Sequence, residues 1–275
     1  MLPPEQRPAV GAAMATYELD PLIDWLTDKH RDLELQDFIR GETLNGDWRP
    51  VARAVRQRLQ GWRGRLGIHG PFWGFAIDSP DPDIQAVVRK RMSQGLDVCE
   101  ELGATMMVVH SPFSTWDANN LALYPDAREK KFAAVHACLD AAVERAMQLG
   151  VTLVIENIED KDPADRVRLV QSFGSENVRV SLDTGHAYFA YGSTGAPPVD
   201  YYVKAAGNLL GHVHLQDADG YADRHWALGD GTIQWASIFR ALAALESSPR
   251  LIIELRDKGG IIRSAEYLAG LGLAR

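Results

Sequence analysis

Short β-branched or apolar runs alternate with longer helical stretches from one end of the chain to the other, and this rhythm limits the fold more than any other feature. Strands are expected at 10–16, 33–38, 65–69, 106–110, 151–155, 178–182, 210–214 and 251–255, with helices at 21–29, 48–62, 82–102, 125–149, 163–173, 199–206 and 235–245. Strands separated by helices build parallel sheets, because the crossover helix returns the chain to the same edge in the same direction. Pro21, Pro82, Pro125 and Pro163 suit first helical turns, where a missing N–H costs nothing. Gly103 and Gly150 fall where helices should stop, and 172–177 reads as the turn into the sixth strand. Eight strands and no Gly/Ser/Pro-rich linker fit one α/β domain over 1–275, a single closed (β/α)8 TIM barrel. The rival open sheet would place a G-x-G-x-x-G turn after its first strand, and the sequence has none. The 275 residues, 46% hydrophobic, are enough for such a core.

Chemistry enters where the strands end. The third strand ends in His69, the fourth in His110, and the fifth runs into Glu156. The sixth leads to Asp183 with His186 close behind, the seventh ends in His214 followed by Asp223 and His225, and the eighth delivers Glu254. C-terminal strand ends of a barrel converge on one mouth, so residues far apart in sequence meet there. A lone histidine at a strand end is most simply a hydrogen-bonded structural group, and a lone carboxylate caps the next helix. Six consecutive strands ending this way call for more, because nine such groups at one mouth repel and desolvate one another without a cation. A divalent centre of mixed histidine and carboxylate ligands resolves the conflict.

The remaining candidates read as structural. His136 lies on an amphipathic helix face and His30 in a polar connection. His212, two residues before His214, should face the barrel interior one layer lower. Cys99 and Cys138 read as buried helix thiols, too few and too far apart for a disulfide framework or a thiolate zinc site. A net charge of −8 disfavours nucleic acid as partner. No apolar run is long enough for a membrane span, and the N-terminus lacks a signal-peptide core, so a cytoplasmic protein is expected. The outer helix faces show no heptad, which leaves oligomerisation open.

The motifs VIEN, SLDTGHA, HVHLQD…DRHWALGDGTIQW and IIELR, spanning the third to eighth strands, resemble the xylose-isomerase-like TIM barrels. That superfamily holds sugar-phosphate isomerases and epimerases, ketose 3-epimerases and the endonuclease IV-like enzymes of AP endonuclease family 2. Resemblance to the ketose epimerases implies one Mn²⁺, Co²⁺, Mg²⁺ or Zn²⁺ ion on Glu156, Asp183, His214 and Glu254. It further implies that Glu156 and Glu254 act as an acid/base pair on opposite faces of a carbohydrate substrate. His186 matches a substrate-contacting position, and Arg224, at an altered spacing, is nearest to an arginine those epimerases use. Resemblance to endonuclease IV instead implies up to three zinc ions on His69, His110, Glu156, Asp183, His186, His214, Asp223, His225 and Glu254, a set matched at all nine positions. Phe72 and Trp73 then fall where that enzyme inserts side chains into DNA.

The sequence departs from the nuclease pattern after Glu156, where Asn-Ile-Glu-Asp replaces a small Gly-rich turn. It departs again between His214 and Asp223, where Asp217 and Asp219 replace a Ser-Lys pair. Its expected mouth loops carry Asp78, Asp81, Asp83, Glu159, Asp160 and Asp162 against Lys161, Arg224, Arg256 and Lys258, whereas a DNA-binding mouth gains affinity from Lys and Arg. Phe72, Trp73, Phe113, Trp116 and Tyr188 suit stacking against a sugar face. The sequence therefore points to a metal-dependent sugar or sugar-phosphate isomerase or epimerase, with His69, His110, His186, Phe72, Trp73, Trp116 and Arg224 contacting substrate. The alternative is an endonuclease IV-like phosphodiesterase.

Overall fold

The computed structural model describes residues 3–275. Eight parallel strands close into a barrel in sequence order: β1 (Gly11–Met14), β2 (Leu33–Leu35), β3 (Leu66–His69), β4 (Met106–His110), β5 (Thr152–Glu156), β6 (Val178–Asp183), β7 (Leu210–Leu215) and β8 (Arg250–Ile253). The circle closes where β1 pairs with β8, Gly11 opposite Ile252. Register then aligns the strand ends: His110 lies opposite Glu156 and Asp183 opposite His214, while the Glu254 amide donates to the Leu215 carbonyl.

The first two strands are shorter than the sequence pattern suggests. The expected 10–16 ends at Met14, because Thr16 turns away and donates its hydroxyl to Asp37 at 2.9 Å. The expected 33–38 ends at Leu35, and Asp37 accepts the Thr16 amide rather than continuing the ladder.

Pro82–Leu102 forms as expected, capped by Asp81 accepting from the Asp83 amide and closed by Gly103 at φ 68. Ala127–Leu149 also closes on a left-handed glycine, Gly150 at φ 66, but starts two residues beyond Pro125, because Asp126 sits at φ 58. Pro21 belongs to a 3₁₀ turn rather than to the helix Ile23–Asp28 that follows it. The helix expected at 48–62 shortens to Arg49–Arg58, and that at 235–245 to Trp235–Leu242. Thr184–Thr194 adds a helix directly after β6, and Ile261–Gly270 adds one after β8 beyond a 3₁₀ turn at Lys258–Gly260.

Between sheet and helices, Val88, Met92, Leu96, Val135, Leu139 and Val143 are buried, each such side chain contributing roughly 1.5–3 kcal/mol. Cys99 and Cys138 are buried free thiols in the same layer. Inside the barrel the lower end is polar: Arg250 donates to the Leu66 carbonyl at 3.0 Å and to Thr105 Oγ1 at 2.5 Å. No helix among the described residues is long and apolar enough to cross a membrane.

Candidate metal centre

All nine strand-end residues meet at the C-terminal mouth, and they sort into three groups whose donor atoms approach within 4.8 Å of one another. The deepest is Glu156, Asp183, His214 and Glu254. Its members are 1%, 0%, 0% and 7% exposed, so three carboxylates share a nearly dry space. His214 Nδ1 stands 2.6 Å from Glu156 Oε1 and 3.4 Å from Glu254 Oε2. Asp183 also caps the helix it precedes, accepting from the His186 amide at 2.7 Å. The capping role weighed from sequence is thus present in a side chain that also belongs to the four-residue cluster.

Two further groups flank this one. His69 and His110 each place Nε2 3.7 Å from Glu156 Oε2 and lie 3.4 Å from each other. On the other side, Asp223 Oδ1 lies 3.5 Å from His186 Nε2 and 3.1 Å from His225 Nε2. His225 takes φ 50, a left-handed conformation unfavourable for a residue with a Cβ, and its Nδ1 comes within 3.6 Å of Glu254 Oε2.

Protonation follows from this crowding. Burial opposes ionisation of Glu156, but the charge and hydrogen bond of His214 outweigh it and hold the carboxyl well below its usual range. At Asp183 burial prevails over the nearby His186 and raises the carboxyl. Burial disfavours an imidazolium at His214, yet the charges of Glu254, Glu34 and Glu156 lift it well above the ordinary histidine value. Burial, reinforced by His69, pushes His110 down to about 3. His225, opposed by burial but hydrogen-bonded to Asp223, rises to about 9.

The donors fit a divalent cation. Ligand atoms about 2.0–2.3 Å from a common ion lie within roughly 4.5 Å of each other, and mixed imidazole and carboxylate donors suit Zn²⁺, Mn²⁺, Co²⁺ or Mg²⁺. Glu156 Oε2 is buried without a hydrogen-bond partner, an orphan acceptor that a cation would satisfy.

Several supporting residues are not conspicuous in the sequence. Gln216 Nε2 reaches Asp183 Oδ1 at 3.1 Å and Asp223 Oδ1 at 3.0 Å, while its Oε1 accepts the His225 amide at 2.7 Å. Asn157 clasps the Asp183 backbone through both its amide atoms. Gln36 donates to Glu254 Oε1 at 2.5 Å and in turn accepts from Lys258 Nζ. Glu34 of β2 accepts from His214 Nε2 at 2.9 Å. Its one sequence signal is a carboxylate between two leucines in a strand, at a position alternation turns inward.

The aromatic candidates divide. Phe72 stacks on His110 with ring centroids 4.0 Å apart, and Trp73 continues that stack at 5.6 Å while remaining 53% exposed. A cleft of about 190 Å³ beside them is lined by His110, Ser111, Phe113, Ile158 and Glu159. Trp116 is exposed and stacks on Tyr124 rather than on this group. Arg224 pairs with Asp219 at 2.8 Å and lies over Trp226, so its contacts hold the loop after β7 rather than the four-residue cluster. Tyr188 hydrogen-bonds Thr232 across the same loop.

The acidic mouth needs correction at one place. Asp160 is buried, accepting from Ser111 Oγ at 2.9 Å beside Arg166, and contributes no surface charge. Asp217, which stands in place of one residue of the nuclease Ser-Lys pair, is likewise buried, among loop amides.

A sequence model described as the xylose isomerase-like TIM barrel matches residues 33–273. An uncharacterised protein of Methanocaldococcus jannaschii is 22% identical over 209 residues, 73% of this chain and 68% of that protein. Among solved structures, a D-tagatose 3-epimerase-like protein superposes with a TM-score of 0.76 at 18% identity, covering 95% of this chain and 96% of its own. A Thermus thermophilus protein soaked with zinc chloride gives 0.70 at 26% identity, with 96% and 98% covered. The 3-keto-D-glucoside 4-epimerase of E. coli gives 0.69 at 15%, with 97% and 99% covered. These structural likenesses carry the fold, and the sequence match, which takes in seven of the eight strands and the whole mouth, carries the lineage: the chain belongs to the xylose isomerase-like TIM barrel family.

Proposed function

We propose that this chain is a metal-dependent isomerase or epimerase of a sugar or sugar phosphate. The observation that carries the reading is the approach of Glu156 and Glu254 to one nitrogen of His214, beside Asp183, in a buried pocket at the barrel mouth. Glu156, Asp183, His214 and Glu254 would hold the ion, which when bound supplies Lewis-acid polarisation of a carbonyl and its neighbouring hydroxyl.

The chain's own groups then move the proton. Glu156 is kept ionised, so whichever of its oxygens does not face the ion is suited to accept a proton from the carbon next to the substrate carbonyl. The C–H electron pair passes into the carbonyl, giving an enediolate. Glu254 returns a proton to that carbon from the other side, and a later proton exchange resets both carboxyls. Gln36 fixes Glu254 through Oε1, which leaves Oε2 toward the site. Phe72 and Trp73 offer flat faces for a sugar ring, and the epimerase names of two structural neighbours support a carbohydrate substrate.

The test is exchange of the substrate α-hydrogen. Incubating the Mn²⁺- or Co²⁺-loaded protein with a panel of ketoses and ketose phosphates in D₂O should incorporate deuterium at the epimerised carbon. An absence of exchange across the panel would count against proton abstraction.

One observation favours a second reading. The flanking groups His69–His110–Glu156 and His186–Asp223–His225 could each take a further ion, as a multinuclear phosphodiesterase of the endonuclease IV type requires. Against it, cations near the mouth are already engaged: Arg224 by Asp219 and Lys131 by Asp78 and Asp117. Those two are not free to neutralise a phosphate backbone. Cleavage of an oligonucleotide carrying one abasic site would support this second reading.

A further inference from the structure

Beneath the mouth, a line of buried polar groups crosses the barrel interior. Ser181 Oγ lies 2.8 Å from His212 Nδ1, His212 Nε2 stands 3.2 Å from Glu34 Oε2, and Glu34 Oε1 lies 2.9 Å from His214 Nε2. The line runs from β6 through β7 to β2, and all four residues are essentially sealed from solvent. Among the described residues no lysine or arginine forms an ion pair with Glu34; its two oxygens face two imidazoles.

We infer that Glu34 is a positioning residue that keeps the remaining proton of His214 on Nε2 and so presents Nδ1, lone pair outward, to the ion held with Glu156, Asp183 and Glu254. An ionised carboxylate can only accept, so an imidazole nitrogen 2.9 Å away must be the N–H side of the ring. Without an ion Nδ1 also faces a carboxylate, Glu156 Oε1 at 2.6 Å; an ion bound there would take the place of that proton and leave Nε2–H on Glu34, the arrangement in which a carboxylate behind a histidine sets its tautomer and raises its basicity. His212 lies on the far side of Glu34: its Nε2 comes within 3.2 Å of Glu34 Oε2 without an aligned hydrogen bond, while its Nδ1 lies 2.8 Å from Ser181 Oγ.

A purely space-filling role predicts something different. Glutamine or leucine at position 34 would preserve volume, and ion binding would be unchanged.

The inference rests on the metal reading above, and its test separates the two. Affinity for Zn²⁺ is measured by competition with a chromophoric chelator for the wild-type chain, Glu34→Gln and Glu34→Leu. Leucine, which removes the acceptor, should weaken binding by about 10–100-fold, and glutamine, which keeps an acceptor but loses the charge, by less. Wild-type affinity retained in both variants overturns the positioning role while leaving the metal reading intact. No Zn²⁺ binding by the wild-type chain overturns both. Should the leucine variant fail to fold, ¹⁵N NMR of the Zn²⁺-loaded wild type decides: a protonated Nε2 on His214 supports the inference, and an unprotonated Nε2 overturns it.

Discussion

Replacing Asp217 with asparagine tests whether the loop after β7 is built as described. Asp217 Oδ1 accepts from the amides of Ala218 at 3.0 Å and Ile233 at 3.2 Å. Its Oδ2 accepts from the Gly229 amide at 2.8 Å and Trp235 Nε1 at 3.2 Å. All four partners are donors, so whichever way an asparagine side chain is turned, its NH₂ faces two of them. Two hydrogen bonds to a charged acceptor are lost, each worth about 1.5–3 kcal/mol, for a cost of about 3–6 kcal/mol. For a chain of this size each kcal/mol lowers Tm by roughly 2–4 °C, so thermal unfolding should fall by at least about 6 °C. Amide exchange at Gly229 and Ile233 should accelerate in step, because the loop opens first. A variant melting within about 1 °C of wild type, with Gly229 and Ile233 still protected, would refute the four-donor account.

Other consequences can be checked separately. Glu254→Gln should leave the circular dichroism spectrum unchanged and lower kcat by about 10²–10⁴-fold, the usual size of a lost acid/base group; retained turnover would remove Glu254 from the chemistry. In metal-free protein, His110 stays neutral in the fold until about pH 3, whereas the unfolded chain takes up that proton near pH 6.5. Its contribution is therefore fully present above pH 6.5 and is lost as pH falls toward 3. On going from pH 7 to pH 5 in urea unfolding, the wild type should lose about 2 kcal/mol more than His110→Gln does, the other titrating groups being common to both. Equal losses in both proteins would contradict the burial of a neutral ring. Saturating divalent metal at about a hundredfold over Kd should stabilise the wild type by about 2.7 kcal/mol, and chelation should reverse it. An unchanged Tm would speak against a folded-state ion site.

The barrel was legible because strand and helix periodicities survive in a single sequence, and because strand ends such as His69, His110 and Asp183 are chemically conspicuous. Glu34 was missed although it touches the centre of the site. The expected strand 33–38 puts Glu34 near its start rather than at its mouth end, and its partner lies 180 residues away, so only packing across the barrel reveals the pair. Gln216, Asn157 and Gln36 are neutral and carry no spacing signal; their roles come from hydrogen bonds to groups on other strands. The helix Thr184–Thr194 was not read because glycine and aromatics obscure its apolar period, while its stability comes from the Asp183 cap and from packing. Asp160 looked like surface charge because a sequence does not show that a loop hydroxyl and an arginine fold back around it.

Metal stoichiometry is the most direct test of the central claim that Glu156, Asp183, His214 and Glu254 form a catalytic ion site. Elemental analysis after dialysis against metal-free buffer should find one tightly held divalent ion per wild-type chain and none in His214→Ala. A wild-type chain that retains no ion, even after loading, would contradict the account, and three zinc ions per chain would replace the isomerase with the phosphodiesterase.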